Sequence, residues 1–266
     1  MIVIGERINS SLKAVKTLIE KKDRKALQDL AKKQFDSGAS YIDISAAAFS
    51  DEEASNLEWI VDTIQEVSDI PFSINSTNPK AIECALRINR NQKPIINSVS
   101  DQDEVFEALL PILSEYGTKV IALCMNSDGM PETVDERLLI ADRLINRLTS
   151  GGIQTSDIFI DPVVRPVGTD SKYGIIALES IRKIRSNYPD IHITCDLPNI
   201  SFGLPARKLM NQAFLIAAMT VGMDSVILDP LDTKIMSLLC AGNTLLGMDD
   251  FCMDYMMKFR EGLLEI

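Results

Sequence analysis

Short apolar runs alternate with longer segments of helical period along nearly the whole chain. The runs fall at Ile2–Ile4, Tyr41–Ser45, Phe72–Asn75, Pro94–Asn97, Lys119–Cys124, Ile158–Asp161, Ile191–Leu197 and Ser225–Leu228. Their brevity predicts strands. Between them, apolar residues recur every three to four positions and predict helices. The helical segments are Arg24–Ser37, Glu52–Val67, Pro79–Ile88, Glu104–Tyr116, Val134–Thr149, Tyr173–Asn187, Ala206–Val221 and Asp232–Gly247. Ser50-Asp51-Glu52-Glu53 and Ser100-Asp101-Gln102-Asp103 read as N-terminal caps. Gly38, Gly117 and Gly222 stand where a left-handed residue ends a helix. A last amphipathic helix is expected over Phe251–Ile266, packed on the body or serving a dimer contact.

Strand followed by helix, repeated eight times without a linker or a shift in composition, predicts one (β/α)8 TIM barrel domain over residues 1–266. The length of 266 residues is ordinary for that fold. A doubly wound sheet is the alternative, but the first strand is not followed by a Gly-rich turn.

Composition narrows the chemistry. Hydrophobic residues make up 46% and aromatics only 6%, so the core is aliphatic, as helices packed on a parallel sheet require. A formal charge of -11 and the lack of a Lys/Arg stripe argue against a nucleic-acid partner. The five cysteines are scattered without a CxxC pair, which suits reduced, mostly buried thiols and a cytoplasmic location. The single histidine, His192, lies inside a strand and is expected to be structural. Neither a zinc cluster nor a Ser-His or Cys-His relay can be assembled around it, so no protein-bound metal is expected. A signal segment and a membrane span are not expected either, since the chain opens on a strand and holds no run of about 18 apolar residues.

In a barrel of this kind the chemistry sits at the C-terminal ends of the strands. Those ends carry Glu6, Arg7 and Asn9; Asp43 and Ser45; Asn75, Ser76 and Asn78; and Asn97 with Ser98. Met125 and Asn126, Asp161 with Arg165, Asp196 with Asn199, and Asp229 with Asp232 follow. Taken singly, each reads as a helix cap or a loop-shaping residue. Asn75, Asn97, Asn126 and Asn199, at the mouths of four separate strands, point as a group to a ligand site. Amides donate and accept, whereas carboxylates only accept. A flat heterocycle edged with N–H, C=O and an exocyclic amine calls for that mixture. Phosphate would call for Gly-rich amides and cations. Glycoside hydrolysis through Asp43 and Asp161 stays open on spacing alone. The run "CDLPNISFGLPARK", from Cys195 to Lys208, ends a strand on an acid, a proline and an asparagine where a plain turn would do.

The chain resembles the pterin-binding methyltransferases in order and over nearly its whole length. The carriers are "IGERIN" at the first strand, "NST" after the third, "INS" after the fourth, "IDPVVRPVGTD" after the sixth and "PNISFGLPARKLMNQAF" after the seventh. That family exchanges methyl groups between methyltetrahydrofolate and a corrinoid protein. Dihydropteroate synthases share the barrel, but their lysine-bearing loop after the seventh strand and their late Arg-x-His are missing here. The resemblance implies that Asn75, Asn97 and Asp161 meet the pterin edge, with Asp196 ringing the same mouth. It places Asn199 near N5 as the catalytic amide and Arg207 near the folate tail or the corrinoid entrance. Cobalamin would be carried by a separate protein, and the enzyme would be a homodimer. The family usually has Asp where this chain has Asn75, and Gly-Leu-Ser-Asn where it has Asp196-Leu197-Pro198-Asn199. These departures read in one of two ways: a negative charge moved from the third strand to the seventh, or an Asp196 that caps a loop and points to solvent. Two alternatives stay open: a non-catalytic pterin-binding barrel, and the same chemistry on tetrahydromethanopterin or another modified pterin.

Overall fold

Eight short strands, each too apolar to leave either face in water, bury both faces by closing on themselves. The structure, a computed structural model, describes residues 1–265. The strands are β1 (Ile2–Asn9), β2 (Tyr41–Ser45), β3 (Phe72–Asn75), β4 (Ile95–Asp101), β5 (Lys119–Asn126), β6 (Ile158–Asp161), β7 (His192–Ile193) and β8 (Ser225–Leu228). They pair in parallel in the order β7-β6-β5-β4-β3-β2-β1-β8. The remaining seam, between β7 and β8, closes through a parallel bridge between Asp196 and Ile227. There the Ile227 N–H donates to the Cys195 carbonyl at 2.9 Å. The fold is the expected (β/α)8 barrel with a C-terminal helix.

Around the barrel run α1 (Lys13–Glu20), α2 (Arg24–Asp36), α3 (Glu53–Gln65), α4 (Pro79–Ile88) and α5 (Asp103–Tyr116). They continue with α6 (Val134–Ser150), α7 (Tyr173–Asn187), α8 (Arg207–Thr220), α9 (Thr233–Leu245) and α10 (Met253–Arg260). Most of the buried aliphatics form one layer between these helices and the outer face of the sheet. Inside the barrel a second cluster stacks Ile4, Tyr41, Ile95, Ile121, Phe159 and Ile227. His192 lies flat on Phe159, with ring centroids 4.4 Å apart, and its Nδ1 meets Asp224 at 2.9 Å. It is a structural residue, as expected.

Several element ends differ from expectation, each for a local reason. β1 and β4 run past Ile4 and Asn97, because both go on pairing with neighbouring strands through register shifts. The two expected Ser-Asp caps do not form. Asp101 belongs to β4 and takes Arg147 at 3.1 Å, so α5 starts from Gln102 without a side-chain cap. At α3 the chain enters through a 3₁₀ turn, Ala47–Glu52, kinked at Ser50, and again no side chain caps the helix. α1 was not expected; its Val15 and Ile19 alone are buried. β7 stops after two residues because the chain coils into a 3₁₀ turn at Leu197–Ser201, with Pro198, which has no N–H to give a ladder, in its first turn. Gly38, Gly117 and Gly222 do take positive φ at helix ends. The expected terminal helix is shorter, Met253–Arg260, and the far end of that expectation, Ile266, lies outside the described residues.

Candidate active site at the barrel mouth

Side chains two apart on a strand share a face. The residues two positions beyond the inner apolar cluster therefore form the next inward layer. Five of them are polar, Glu6 after Ile4, Asp43 after Tyr41, Asn97 after Ile95, Asp161 after Phe159 and Asp229 after Ile227, and one is apolar, Leu123 after Ile121. The barrel is thus filled by an apolar floor with a polar layer directly above it. Sequence reasoning placed all of the polar ones at strand ends but left Glu6, Asp43 and Asp229 out of the binding set. The available signal was Asp43 itself, a carboxylate in a strand whose five residues are all buried.

Asp43 is the hub of one side. Its Oδ1 accepts from the Ser73 hydroxyl at 2.6 Å and the Asn97 amide at 3.0 Å, and its Oδ2 accepts from the Asn75 amide at 2.8 Å. Three adjacent strands are tied to one carboxylate. With both Nδ2 groups committed to Asp43, the Oδ1 atoms of Asn75 and Asn97 are the acceptors left for a ligand. Burial still pushes the Asp43 carboxyl up, despite the three donors. Beside it, Ser76 and Asn78 bond the buried Glu53, and Asn78 caps α4 by accepting from the Lys80 N–H at 3.1 Å. These two are loop-building residues.

The opposite side is built on strain. Asp161 accepts from the Val163 N–H at 2.8 Å, and Val163 holds φ 62, an uncommon value for a β-branched residue. Arg137, fully buried, clamps this turn by donating to the carbonyls of Pro162 at 2.8 Å and Val163 at 3.3 Å. Asp196 opens the 3₁₀ turn that carries Asn199, and the Asn199 side chain hydrogen-bonds it. Arg207 holds the same turn from outside, donating to the Pro198 carbonyl at 2.8 Å and the Ser201 hydroxyl at 3.1 Å. Its guanidinium is thus engaged with the loop.

Not every mouth residue joins the layer. Asn126 shapes a turn, accepting from the Asp128 N–H at 3.0 Å, so the expected quartet of asparagines reduces to Asn75, Asn97 and Asn199. Arg165 pairs with Glu132 at 2.5 Å and stacks on Tyr173. Asp232 caps α9 and meets Lys208 at 3.0 Å. A surface cavity of about 760 Å³, lined by Lys32, Phe35, Gln65 and Glu66, lies at the other end of the barrel and holds none of these groups.

Burial makes these carboxyl groups hold their protons, and the negative charges around them add to the effect. Burial, with Asp196, Asp229 and Asp43 nearby, pushes Glu6 from an ordinary 4.5 up to about 8, against the pull of Arg7. Asp161 is pushed up to about 7, chiefly by burial and further by Asp196. Burial and then Asp43 raise Asp196 to about 6, opposed by the Asn199 amide and Arg207. Near neutral pH the mouth therefore holds protons as well as negative charge. A protonated carboxyl both donates and accepts.

An eight-stranded barrel with a proton-holding acid–amide mouth is a protein built to receive a flat, polar heterocycle. Comparison with known proteins specifies it further. The chain matches the family described as "Pterin binding enzyme" over residues 5–229, and it belongs to that family. It is similar to a methylcorrinoid:tetrahydrofolate methyltransferase of Eubacterium limosum, 36% identical over 98% of this chain and 97% of that protein. A methionine synthase of Mycobacterium tuberculosis is 29% identical over 85% of this chain, which spans only 20% of that longer protein. Among solved structures, a dihydropteroate synthase from Xanthomonas albilineans in complex with 7,8-dihydropteroate superposes with a TM-score of 0.70. It covers 94% of this chain at 15% identity, a likeness of fold alone.

Proposed function

We propose that this protein is a methyltransferase that moves a methyl group between N5 of tetrahydrofolate and the cobalt of a corrinoid protein. The observation that carries the reading is the meeting of two unlike half-sites in one mouth. On one side Asn75 and Asn97 are locked by Asp43, and on the other Asp196 and Asn199 are joined beside Asp161. The first half-site, with Asp161, recognises the pterin edge. Asn199 faces N5. Cobalamin enters as a substrate on its own protein.

Transfer toward tetrahydrofolate fits the charges best. N5 attacks the methyl carbon, the carbon–cobalt bond breaks, and its electron pair stays on cobalt. N5 then carries a positive charge and a proton to lose. Asp196, raised to about 6 and bonded to Asn199, is ionised near neutral pH and accepts that proton. Asn199 holds its amide against N5 as the charge develops, which is stabilisation specific to the transition state. In the reverse direction Asp196 must start protonated, so donation from methyltetrahydrofolate is favoured at lower pH.

Further proposals accompany this reading: residues 1–266 act as one pterin-binding unit, the protein works in the cytoplasm, and it is a homodimer. No helix among the described residues is long and apolar enough to cross a membrane. The deciding assay mixes the protein with tetrahydrofolate and methylcobalamin, and separately with methyltetrahydrofolate and reduced cobalamin. Conversion between the methylcobalamin and cob(I)alamin absorption bands is expected in both, faster in the first. Tight pterin binding with no turnover in either would overturn the reading in favour of a non-catalytic barrel.

A further inference from the structure

One buried cation grips backbone and not a carboxylate. Arg137 lies at the start of α6 and is fully buried. Its three hydrogen bonds all go to carbonyls: Nε donates to Pro162 at 2.8 Å, Nη1 to Thr133 at 3.0 Å and Nη2 to Val163 at 3.3 Å. Among the described residues it forms no ion pair, and Glu132 and Glu136 act on it only from farther away. A charge taken out of water without a paired counter-ion is costly. The N-terminal end of a helix, where backbone N–H groups point outward, disfavours a cation further. An apolar side chain would fill the same space without either cost. Packing alone does not account for an arginine here.

Two of the carbonyls it holds belong to the turn that follows Asp161. A peptide unit is planar, so the Pro162 C=O and the Val163 N–H point to opposite sides of one rigid group. Arg137 takes the carbonyl side at 2.8 Å, and Asp161 Oδ1 takes the N–H side at 2.8 Å. A single peptide thus joins the guanidinium to the carboxylate. A charged donor on the carbonyl polarises the amide and strengthens the hydrogen bond that its N–H makes. The second grip, on the Val163 carbonyl, holds that residue at φ 62. Four titratable groups lie close enough to act on Asp161 or be acted on by it. They are Asp196 in the turn after β7, Arg137 from α6, and the thiols of Cys124 on β5 and Cys195 after β7. The charge of Asp196 works against ionisation of Asp161, and burial keeps both thiols neutral. Of the four side chains, Arg137 supplies the positive charge that favours it.

We propose that Arg137 is a positioning residue that acts on Asp161 through the Pro162–Val163 peptide, fixing how the carboxylate meets a ring edge and holding it in its accepting form. This rests on the function proposed above, in which Asp161 recognises the pterin. The test measures methyltetrahydrofolate affinity by isothermal titration calorimetry from pH 6 to pH 9, with circular dichroism to check each fold. The parent should bind more weakly as pH falls through about 7, where Asp161 takes up its proton. Arg137→Met should move that limb up by about one unit, which reads as about a tenfold loss at pH 6 beyond any loss at pH 9. In an Asp161→Asn background the same change should alter affinity by less than about twofold at either pH. Arg137→Lys keeps the charge and a donor for the Pro162 carbonyl. It should displace the limb in the same direction by less, and it carries the test if the methionine variant does not fold. If the parent does not bind methyltetrahydrofolate, the function proposed above fails and this inference with it. If the parent binds and the Arg137 variants keep its pH limb, the inference alone is overturned. A loss just as large in the Asp161→Asn background would overturn it too, by making the arginine a mere strut.

Discussion

The two sides of the mouth are made differently. On the β2–β3–β4 side, three polar side chains from β3 and β4 close onto the one buried carboxylate of β2, and the three strands pair in register as far as Asn75 and Asn97. On the β6–β7–α8 side the strands are short, the turn after Asp161 is held at a positive φ, and the barrel seam runs through Asp196. A regular ladder supplies rigid positions, which suits recognition of a fixed ring edge. A strained turn clamped by arginines supplies groups with displaced proton affinities, which suits a step in which charge changes. On the proposed function, binding and chemistry are divided between ladder and seam.

The comparison breaks first at Asp43. Asp43→Ala leaves the donors of Ser73, Asn75 and Asn97 without their acceptor, and buried polar groups left so cost about 1–3 kcal/mol each. We expect pterin affinity to fall by about 4 kcal/mol, roughly 1,000-fold, in isothermal titration calorimetry. An unchanged dissociation constant would show that the hub is not part of recognition.

On the seam side the loss should appear in rate. Asn199→Ala is expected to slow single-turnover methyl transfer by about 2–4 kcal/mol of barrier, while pterin affinity changes less than about threefold. If instead affinity falls and the single-turnover rate holds, both sides do the same work.

Glu6 tests whether the layer stores protons. Its folded value of about 8 lies above the ordinary 4.5, so between these values the folded state binds the proton more tightly than the unfolded chain. That contribution to stability is complete below about 4.5 and is lost as pH rises through about 8. Glu6→Gln removes the dependence. Chemical denaturation should find the variant more stable than the parent at pH 9, by on the order of 2 kcal/mol, and not at pH 5. Parallel stability curves for the two proteins would refute the proton store.

A smaller effect is expected from the pH profile. Methylation of tetrahydrofolate should rise as pH passes through about 6, where Asp196 ionises. Asp196→Asn should flatten that limb and lower the plateau by roughly tenfold. The finest probe is a double-mutant cycle of Asn75→Asp with Asp196→Gly. Asn75 lies 2.8 Å from Asp43, so a carboxylate there meets Asp43 directly, and Asp43 in turn raises Asp196. The two changes should couple by about 1 kcal/mol in pterin affinity at neutral pH. Additivity within about 0.3 kcal/mol would mean that ladder and seam do not sense each other.

Much of the barrel was legible in the chain because its information is local. The apolar runs, the helical spacing and the polar residue ending each strand are set by neighbours a few positions apart, and they place Asn75, Asn97, Asp161, Asp196 and Asn199 at one mouth. Only the tertiary structure decided which of the candidates meet. Asn97 and Asp43 are 54 positions apart and share a hydrogen bond, whereas Asn126, with the same local signature, turns back on its own loop. Glu6 reads as an ordinary glutamate until β8, β7 and β2 bring Asp229, Asp196 and Asp43 beside it. Proton affinities, the seam at β7 and the grip of Arg137 on the turn after Asp161 depend on distances through space. A linear sequence carries these only through the closure of the whole sheet.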